Sequence, residues 1–406
     1  MILNDFRILD TETGAYRDGS VRIQAERIVE ISDRPLSGNA IRTIDGRGRV
    51  LMPGLIDAHV HVAITTINFA SLEAKPTTLR ALEAAGILER MLARGFTTVR
   101  DAGGADRGLA EAVAEGLIPG PRIYYSGRVL SQTGGHGDFR SRGDLAPMCA
   151  CTIHSSAFSH VVDGVDAVRR AAREELRRGA TQLKIMASGG VASPTDPIWN
   201  LQYSREEMTA IVEEAESWRT YAMAHAYTPE AIRRAVEAGV RTIEHGNLID
   251  RATAELMASR SAYLVPTLIT YFALDELGSA FGLPAESSRK LKEVLTAGLE
   301  SIEIARSAGV PMGFGTDLLG ELHDQQSREF TIRRRALGAA DIIRSATVVN
   351  AEILRATGEI GVIRERARAD LLVIDGDPLE DIAVLENPDR MQAVIQGGRV
   401  AVDRGM

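Results

Sequence analysis

The pattern of hydrophobic and polar positions divides the chain into two β-rich ends and a long middle that alternates between helix and strand. The end segments 1–55 and 357–406 carry short apolar runs of β type, among them SVRIQAERIVEIS, ADLLVIDGD and MQAVIQGGRVAV. In the middle, apolar residues recur at steps of three and four, which is the spacing of amphipathic helices. Helices are therefore predicted near 79–94, 165–178, 204–218, 228–238, 285–308 and 340–356.

Two of these helices begin at recognisable caps. Ser204 and Glu207 have the spacing of a capping box, in which each side chain bonds the backbone amide near the other. Thr228 before Pro229 places an N-cap residue ahead of a proline in the first helical position. Both signals fix where a helix starts.

A weak repeat runs through the middle, in which a helix ends at glycine and a short apolar run follows. The copies are RGFTTVRDAG, RGATQLKIMA, AGVRTIEHG and AGVPMGFGTD. Glycine suits the left-handed cap of a helix that turns back into a strand. One strand length after each glycine, at ~3.3 Å per residue, stands a polar residue. These residues are Asp101, Lys184, His245 and Asp317.

Strands that alternate with helices favour a parallel sheet, and eight such units would close into a (β/α)8 barrel with its chemistry at the carboxyl ends of the strands. An open doubly wound sheet is the alternative, but no GxGxxG stretch opens the first helix. The candidate strand ends lie near His61, Asp101, Ser126, Lys184, His225, His245, Pro266 and Asp317.

Composition narrows the class of function. The 406 residues are 45% hydrophobic and 25% charged, which allows a sizeable core, and the formal net charge of -8 argues against a nucleic-acid partner. No signal-peptide pattern or long apolar stretch occurs, so we expect a cytoplasmic protein with no membrane partner. Cys149 and Cys151 imply no disulfide framework, and with His154 they lack a fourth zinc ligand, so loop cysteines are expected.

Histidines at the predicted strand ends indicate a metal site. His59 and His61 in LIDAHVHV are two residues apart and therefore face the same side of a strand. An HxH pair alone is weak evidence for a metal, but His225, His245 and Asp317 occupy other predicted strand ends. Nitrogen and carboxylate ligands without thiolate suit zinc, manganese, iron or cobalt.

Lys184 interrupts the apolar stretch TQLKIMASGG and allows two interpretations. As a cation it would repel a metal, and it would then point away from the site or pair with an acid such as Asp101. If burial lowers its pKa, the neutral amine can react with carbon dioxide to give a carbamate that bridges two metal ions. The local sequence leaves both interpretations open.

The combination of HVH (59–61), the strand-end lysine, AHAYTPEA, EHG and GTD resembles the amidohydrolase superfamily, as do MPGLIDAHVH and ADLLVIDGDP. The resemblance implies a distorted (β/α)8 TIM barrel over residues 56–356 and a small β-sandwich domain built from residues 1–55 and 357–406. It also implies two divalent ions, with zinc expected. His59, His61 and Asp317 would hold one ion, His225 and His245 the other, and N6-carboxylated Lys184 would bridge them.

KIMASGGV, GGHGD and AHAYTPEAI are most similar to the prolidase-like dipeptidases and ochratoxin-hydrolysing amidases of the binuclear branch. This implies hydrolysis of an amide bond that releases a C-terminal amino acid, proline or a hydrophobic residue, from a dipeptide or N-acyl amino acid. A metal-bridging hydroxide would attack, with Asp317 as general base and then acid, and His136 and Tyr227 would contact the substrate or its oxyanion. Members are commonly oligomeric, so a homo-oligomer is expected.

Two other functions stay open. One is a hydrolase or deaminase of a cyclic amide or heterocycle, similar to imidazolonepropionase, and the other is a non-catalytic scaffold, which would not need the ligand set. Residues 127–163 show no helix or strand pattern, which is typical of a lid or binding loop. Arg140 and Arg142 are weaker candidates for a substrate carboxylate, and His323 and Trp199 either line the pocket or only pack.

Overall fold

The structure is a computed structural model of the chain. It describes residues 1–38, 40–140, 142–143, 158–193, 195–283 and 285–405. Cys149, Cys151 and His154 lie outside the described residues, so the expectation for them stays a prediction.

Both ends of the chain meet in one eight-stranded sheet. Its strands are β1 (Ile2–Asp10), β2 (Ala15–Gln24), β3 (Arg27–Ser32), β4 (Thr43–Asp45) and β5 (Val50–Pro53) from the start of the chain, and β15 (Leu371–Ile374), β16 (Met391–Gln396) and β17 (Arg399–Asp403) from its end. The order is β17-β16-β15-β5-β1-β2-β3, and β4 pairs with β1. The two ends join where β5 lies antiparallel to β15, with Val50 opposite Ile374. The predicted β-rich ends are confirmed.

The middle of the chain forms two parallel sheets. The first has the order β6-β7-β8 and the second β10-β9-β11-β12-β13-β14, and every neighbouring pair in both is parallel. The strands are β6 (Leu55–Val60), β7 (Phe96–Asp101), β8 (Arg122–Tyr125), β9 (Val129–Ser131), β10 (Ser159–Val161), β11 (Leu183–Met186), β12 (Ala222–Ala226), β13 (Thr242–His245) and β14 (Tyr263–Val265). These sheets are the helix-connected parallel architecture that the repeat predicts.

Helices connect the parallel strands and follow them. They are α1 (Phe69–Ala74), α2 (Thr77–Ala93), α3 (Arg107–Ala114), α4 (Val165–Arg177), α5 (Arg205–Ser217), α6 (Pro229–Glu237), α7 (Arg251–Ser259), α8 (Leu268–Leu277), α9 (Ala285–Leu295), α10 (Ala297–Ser307), α11 (Arg328–Arg333), α12 (Ala339–Arg344) and α13 (Asn350–Ile353). Short 3-10 turns lie at Gly278–Phe281, Gly320–Gln325, Ile382–Leu385 and Pro388–Arg390, and a π-helical turn lies at Ser345–Val349.

The eighth predicted strand, residues 310–317, is not a regular strand, but its backbone bonds both neighbours. Gly313 N donates to Leu264 O of β14 at 2.8 Å. On the other side, Ala58 N of β6 donates to Phe314 O at 2.8 Å, and Asp317 N donates to His59 O at 2.8 Å. This segment therefore connects the six-stranded sheet to the three-stranded one.

The local signals that set the element ends are confirmed. Ser204 and Glu207 form the complete capping box at α5, and Thr228 caps α6 ahead of Pro229. The repeat glycines all adopt the left-handed conformation that a side chain would oppose. Their φ angles are 89° at Gly95, 95° at Gly179, 96° at Gly239 and 76° at Gly309.

Three sequence predictions differ from the structure. The helix expected over 285–308 is divided into α9 and α10. The helix expected over 340–356 passes through the π-helical turn, where the Ser345 and Thr347 hydroxyls donate to carbonyls of the preceding turn and compete with the helical pattern. Residues 127–163, for which no strand was predicted, contain β9 and β10. Each strand has three residues, which is too short for an alternation of apolar and polar positions to be recognised.

Candidate metal centre

The structure gathers the predicted metal ligands at one end of the parallel strands. His59 is on β6 and His61 follows it, Lys184 is on β11, His225 on β12 and His245 ends β13. Asp317 comes at the end of the extended segment after α10. All six side chains line one pocket, together with His136 and Tyr227. Carboxyl ends of parallel strands converge at one edge, which is why residues far apart in sequence meet here.

Three histidines, His59, His61 and His245, lie close to the Asp317 carboxylate. Nε2 of His59 lies 3.3 Å from Asp317 Oδ1, and Nε2 of His61 lies 3.1 Å from the same oxygen. One ligand atom each from His59, His245 and Asp317 lie within 4.8 Å of one another. These separations suit donors to an ion, and they bring His245, which the resemblance assigns to the second ion, beside His59 and Asp317.

Hydrogen bonds fix which ring nitrogen faces the centre. His59 Nδ1 lies 2.7 Å from Glu244 Oε2, and His61 Nδ1 lies 2.9 Å from Gly103 O. Both partners only accept, so each Nδ1 carries the proton and each Nε2 presents a lone pair. His245 Nδ1 contacts Thr267 Oγ1 at 2.8 Å, whereas His225 contacts Gly189 O through Nε2 at 3.2 Å.

This donor set fits a divalent cation. The Nε2 lone pairs of His59 and His61 face an oxygen of the Asp317 carboxylate. All three atoms are hydrogen-bond acceptors, so they repel one another unless a cation lies between them. His59 Nε2 is buried and has no hydrogen-bond partner. A bound cation satisfies all three groups at once, and burial lowers the pKa values of His225 and His245, which keeps their imidazoles neutral and able to ligate.

Lys184 lies in the same pocket and is only 1% exposed. Burial lowers its pKa to about 8, although the nearby Glu244 and Asp317 act in the opposite direction. Burial and a lowered pKa are the conditions that the carbamate interpretation requires. The Asp101 carboxylate accepts from the backbone amides of Val62, Gly103 and Ala105, and within the described residues no hydrogen bond or ion pair joins it to Lys184.

A buried ion pair between Arg100 and Glu244 lies behind the ligands and was not predicted from the sequence. Arg100 on β7 donates to both carboxylate oxygens of Glu244 at 2.9 and 3.0 Å, and Glu244 in turn holds His59. Burial alone would raise the pKa of Glu244, but Arg100 and His59 outweigh it and bring the pKa down to about 2. The signal was present, since Glu244 is a charged residue inside a buried strand and such a residue needs a partner.

Two ligand candidates adopt a rare backbone conformation. His245 has φ 73° and Asp317 has φ 53°, in the left-handed region that residues with a side chain seldom occupy. The surrounding sheet must hold both residues there, and such strain is concentrated at functional sites.

His136 and Tyr227 border the centre. The His136 ring stacks on His225 with centroids 4.3 Å apart, and the Tyr227 ring stacks on His245 at 5.2 Å. Tyr227 also shares a 3.0 Å hydrogen bond with the phenol of Tyr271 from α8, a pocket residue that the sequence did not reveal. Burial raises the pKa of both phenols, so both stay protonated and able to donate.

The weaker candidates are not at the centre. Arg140 pairs with Asp138 at 2.6 Å, and the exposed Arg142 donates to the carbonyl of Thr195 at 3.3 Å. Trp199 is 72% exposed and does not line this pocket, and His323 is buried outside it.

Comparisons with known proteins agree with this geometry. The Amidohydrolase family profile matches residues 50–401. The chain belongs to the amidohydrolase family. The ochratoxinase of Aspergillus niger is 33% identical over 368 residues, covering 86% of this chain and 75% of the relative.

Solved structures place this amidohydrolase beside the prolidases. It superposes on a prolidase complexed with N-methylphosphonate-L-proline with a TM-score of 0.97 and 54% identity, covering 100% of this chain and 99% of the other. A Xaa-Pro dipeptidase with methionine bound in its active site gives a TM-score of 0.90 and 29% identity over 98% of both chains. The chain is thus a hydrolytic enzyme of the prolidase-like subgroup that acts on C–N bonds.

The pocket of this amidohydrolase also has an apolar wall. Phe69 and Phe139 stack with centroids 4.0 Å apart, and Phe158 packs edgewise against both. Phe158 lies 5.5 Å from the His61 ring, so the apolar wall reaches the candidate ligands.

Among the described residues, no helix is long and apolar enough to cross a membrane.

Proposed function

We propose that this enzyme hydrolyses the amide bond of a dipeptide or N-acyl amino acid and releases a C-terminal proline or hydrophobic residue. The observation that carries the proposal is the pocket itself, in which a histidine and carboxylate ligand set stands directly beside an apolar wall. The 54% identical neighbour whose structure contains a proline phosphonate supports the same substrate class.

The residues around the centre would hold two divalent ions, with zinc expected. His59, His61 and Asp317 would bind one, His225 and His245 the other, and Lys184 would bridge them as a carbamate. Such ions supply a nucleophilic hydroxide near neutral pH and polarise the carbonyl under attack. Lys184 is suited to carbamate formation because its lowered pKa makes the neutral amine available.

The side chains divide the proton transfers between them. Asp317 would carry the proton, because its carboxylate lies among the ligand histidines, with Oδ1 3.1 Å from His61 Nε2 and 3.3 Å from His59 Nε2. It would take the proton of the attacking group and pass it to the leaving nitrogen. Tyr227, protonated at neutral pH, would donate to the oxygen that gains charge, and His136 would contact the substrate.

The apolar wall determines which residue is accepted. Phe69, Phe139 and Phe158 offer stacked ring faces and no charge to the group beside the metal ligands. A proline ring or a hydrophobic side chain buries apolar area there, whereas a charged side chain would lose its hydration without a partner.

We further propose that residues 56–356 form one distorted (β/α)8 TIM barrel and that residues 1–55 and 357–406 form a β-sandwich domain. Support comes from the extended segment 310–317, whose backbone bonds β14 on one side and β6 on the other. A homo-oligomer in the cytoplasm remains the expectation, and light scattering of the purified protein tests the oligomeric state.

A substrate panel tests the activity. Metal-replete protein is incubated with Xaa-Pro, Xaa-hydrophobic and Xaa-Arg dipeptides and N-acyl amino acids, beside lactams and aminoheterocycles, and free amino acid is quantified. We expect turnover of the first two groups and little of Xaa-Arg. Turnover confined to the cyclic compounds would replace the proposal by the imidazolonepropionase-like alternative, and no amino acid release from any dipeptide or N-acyl amino acid would refute it.

A further inference from the structure

A second buried lysine lies outside the candidate metal centre. Lys290 on α9 is 2% exposed, and its ammonium donates to three backbone carbonyls. The oxygens are Gly190 O at 2.6 Å, Ser193 O at 2.7 Å and Asp196 O at 3.0 Å. We call these three oxygens the carbonyl cage. Each N–H of the ammonium has one acceptor, so the cation is fully satisfied.

The backbone that forms the carbonyl cage also holds His136. Ser193 Oγ lies 2.7 Å from His136 Nδ1, and the backbone amide of His136 donates to Gln202 Oε1 at 2.8 Å. Gln202 is fixed in turn, because its Nε2 donates to Asp196 Oδ2 at 2.9 Å. Gly190 completes the contact, since a β-carbon at this position would overlap the His136 imidazole.

Among the described residues, Lys290 is the cation that donates to the three cage oxygens, and Gly190 O also accepts from Ser193 Oγ at 3.3 Å. Three carbonyl dipoles directed at one point repel each other unless a cation stands between them, and an unsatisfied buried carbonyl is costly. The Asp196 carboxylate partly balances the ammonium, and each lowers the energy of the other's charged form. Without the ammonium, the carbonyls of Gly190, Ser193 and Asp196 must move apart, and the support that Ser193 gives to His136 moves with them.

We propose that Lys290 is a positioning residue for His136. Its ammonium group binds the three oxygens of the carbonyl cage and so holds the backbone that supports the imidazole. The part of this inference that concerns turnover rests on the proposed function, in which His136 contacts the substrate. The part that concerns the carbonyl cage does not depend on it.

Two variants separate charge from volume. Lys290→Met keeps most of the side-chain volume but removes the donors. Lys290→Ala leaves a cavity that matches the propylammonium ion, which has the three carbons and the nitrogen that are lost. The matched control is Lys292→Ala, an exposed lysine on the same helix. Each protein is assayed with the Xaa-Pro dipeptide hydrolysed fastest in the substrate panel, and hydrogen–deuterium exchange is followed over residues 187–204.

We expect both Lys290 variants to lose roughly 10- to 100-fold in kcat/KM, the loss that follows when a supporting group shifts by about 1 Å. Amide exchange over 187–204 should rise in both. Propylammonium should restore protection and turnover to Lys290→Ala, but not to Lys290→Met, and tetramethylammonium, which has no N–H, should restore neither. Lys292→Ala should behave as the wild type. Bound metal is measured in every protein, because His225 contacts Gly189 O beside the carbonyl cage and a loss of metal must be told apart from a shift of His136.

The outcomes distinguish the two parts of the inference. Wild-type exchange and turnover in Lys290→Met would overturn the positioning role. If propylammonium restored neither protection nor turnover to Lys290→Ala, the role of the carbonyl cage would be overturned. Raised exchange with unchanged turnover would leave the carbonyl cage standing and remove His136 from the proposed reaction. If no dipeptide is hydrolysed by the wild type, the proposed function fails and the exchange measurement still tests the carbonyl cage.

Discussion

Replacement of Arg100 by methionine tests whether the buried ion pair behind the metal centre stabilises the fold. The Arg100 and Glu244 side chains are both 0% exposed and share two hydrogen bonds. Methionine keeps an unbranched side chain of moderate volume but leaves the Glu244 carboxylate buried without its cation. It also removes the donors to Ala58 O and Thr242 Oγ1.

Two independent routes give the size of the effect. The pKa of Glu244 falls from 4.5 to about 2 in the folded protein, and at about 1.4 kcal/mol per pKa unit this corresponds to about 3 kcal/mol at neutral pH. Breaking one partner of a buried ion pair costs about 3–5 kcal/mol in other proteins. With an unfolding entropy of about 2.1 cal/mol/K per residue, a chain of 406 residues should lose about 4 °C in melting temperature.

The effect should also depend on pH. The folded-state pKa of Glu244 lies below its unfolded value, so its contribution is fully present above about pH 4.5 and is lost as the pH falls towards 2. Thermal melts of metal-replete protein at a series of pH values should show the largest difference between wild type and Arg100→Met near neutrality and a smaller one below pH 4.5.

Two further variants control the measurement. Arg107→Met removes a solvent-exposed ion pair with Glu111 and should leave the melting temperature unchanged, because solvent screens that pair. Arg100→Met combined with Glu244→Gln should recover part of the loss, since a buried amide replaces a buried unpaired charge. An Arg100→Met protein with the melting temperature of the wild type at pH 7 would show that this ion pair does not stabilise the fold.

The remaining predictions concern the centre itself. Lys184→Ala should lose bound metal and activity together, as measured by metal analysis and turnover, and a variant that retained both would show that Lys184 is no bridge. Metal-free enzyme should regain activity in added metal faster as the pH rises from 6 to 8 at constant dissolved carbon dioxide. The neutral fraction of Lys184, with its pKa of about 8, grows roughly 50-fold over that range. A flat profile would argue against carbamate formation. Tyr227→Phe should reduce kcat by roughly 100-fold if its phenol stabilises the transition state. Tyr203→Phe, which alters a buried phenol outside the pocket, should keep the wild-type kcat, and equal values for both variants would exclude that role.

The sequence could predict the positions of the ligand candidates because local signals determine them. Helices that end at left-handed glycines set where each strand begins, and one strand length later the chain reaches the common edge of the sheets. The polar residues at those points, such as Lys184 and His245, therefore stood out against apolar neighbours. The same reasoning could have included Glu244, which breaks the apolar pattern of β13 just as Lys184 breaks that of β11.

The groups that support the ligands were hidden because their partners come from distant elements. Arg100 meets Glu244 only when β7 and β13 lie in the same core, and nothing near either residue in sequence indicates the other. Tyr271 is part of the almost uniformly apolar helix LITYFALDEL, which has no polar face to show which side meets the pocket. Lys290, within RKLKEVL, reads as one more cation on a solvated helix face until α9 is packed against the turn that contains Gly190.

The eight-stranded sheet has a consequence for the order in which the protein can assemble on the ribosome. Strand β5 emerges early but completes its pairing with β15, which is made only after every parallel strand and helix of the middle segment. Until then β5 is an open edge of apolar residues, which is the kind of strand that pairs with other chains. Release of a chain that stops short of β15 would leave that edge permanently uncovered, so translation arrest in the last part of the message should produce aggregates rather than a smaller soluble enzyme.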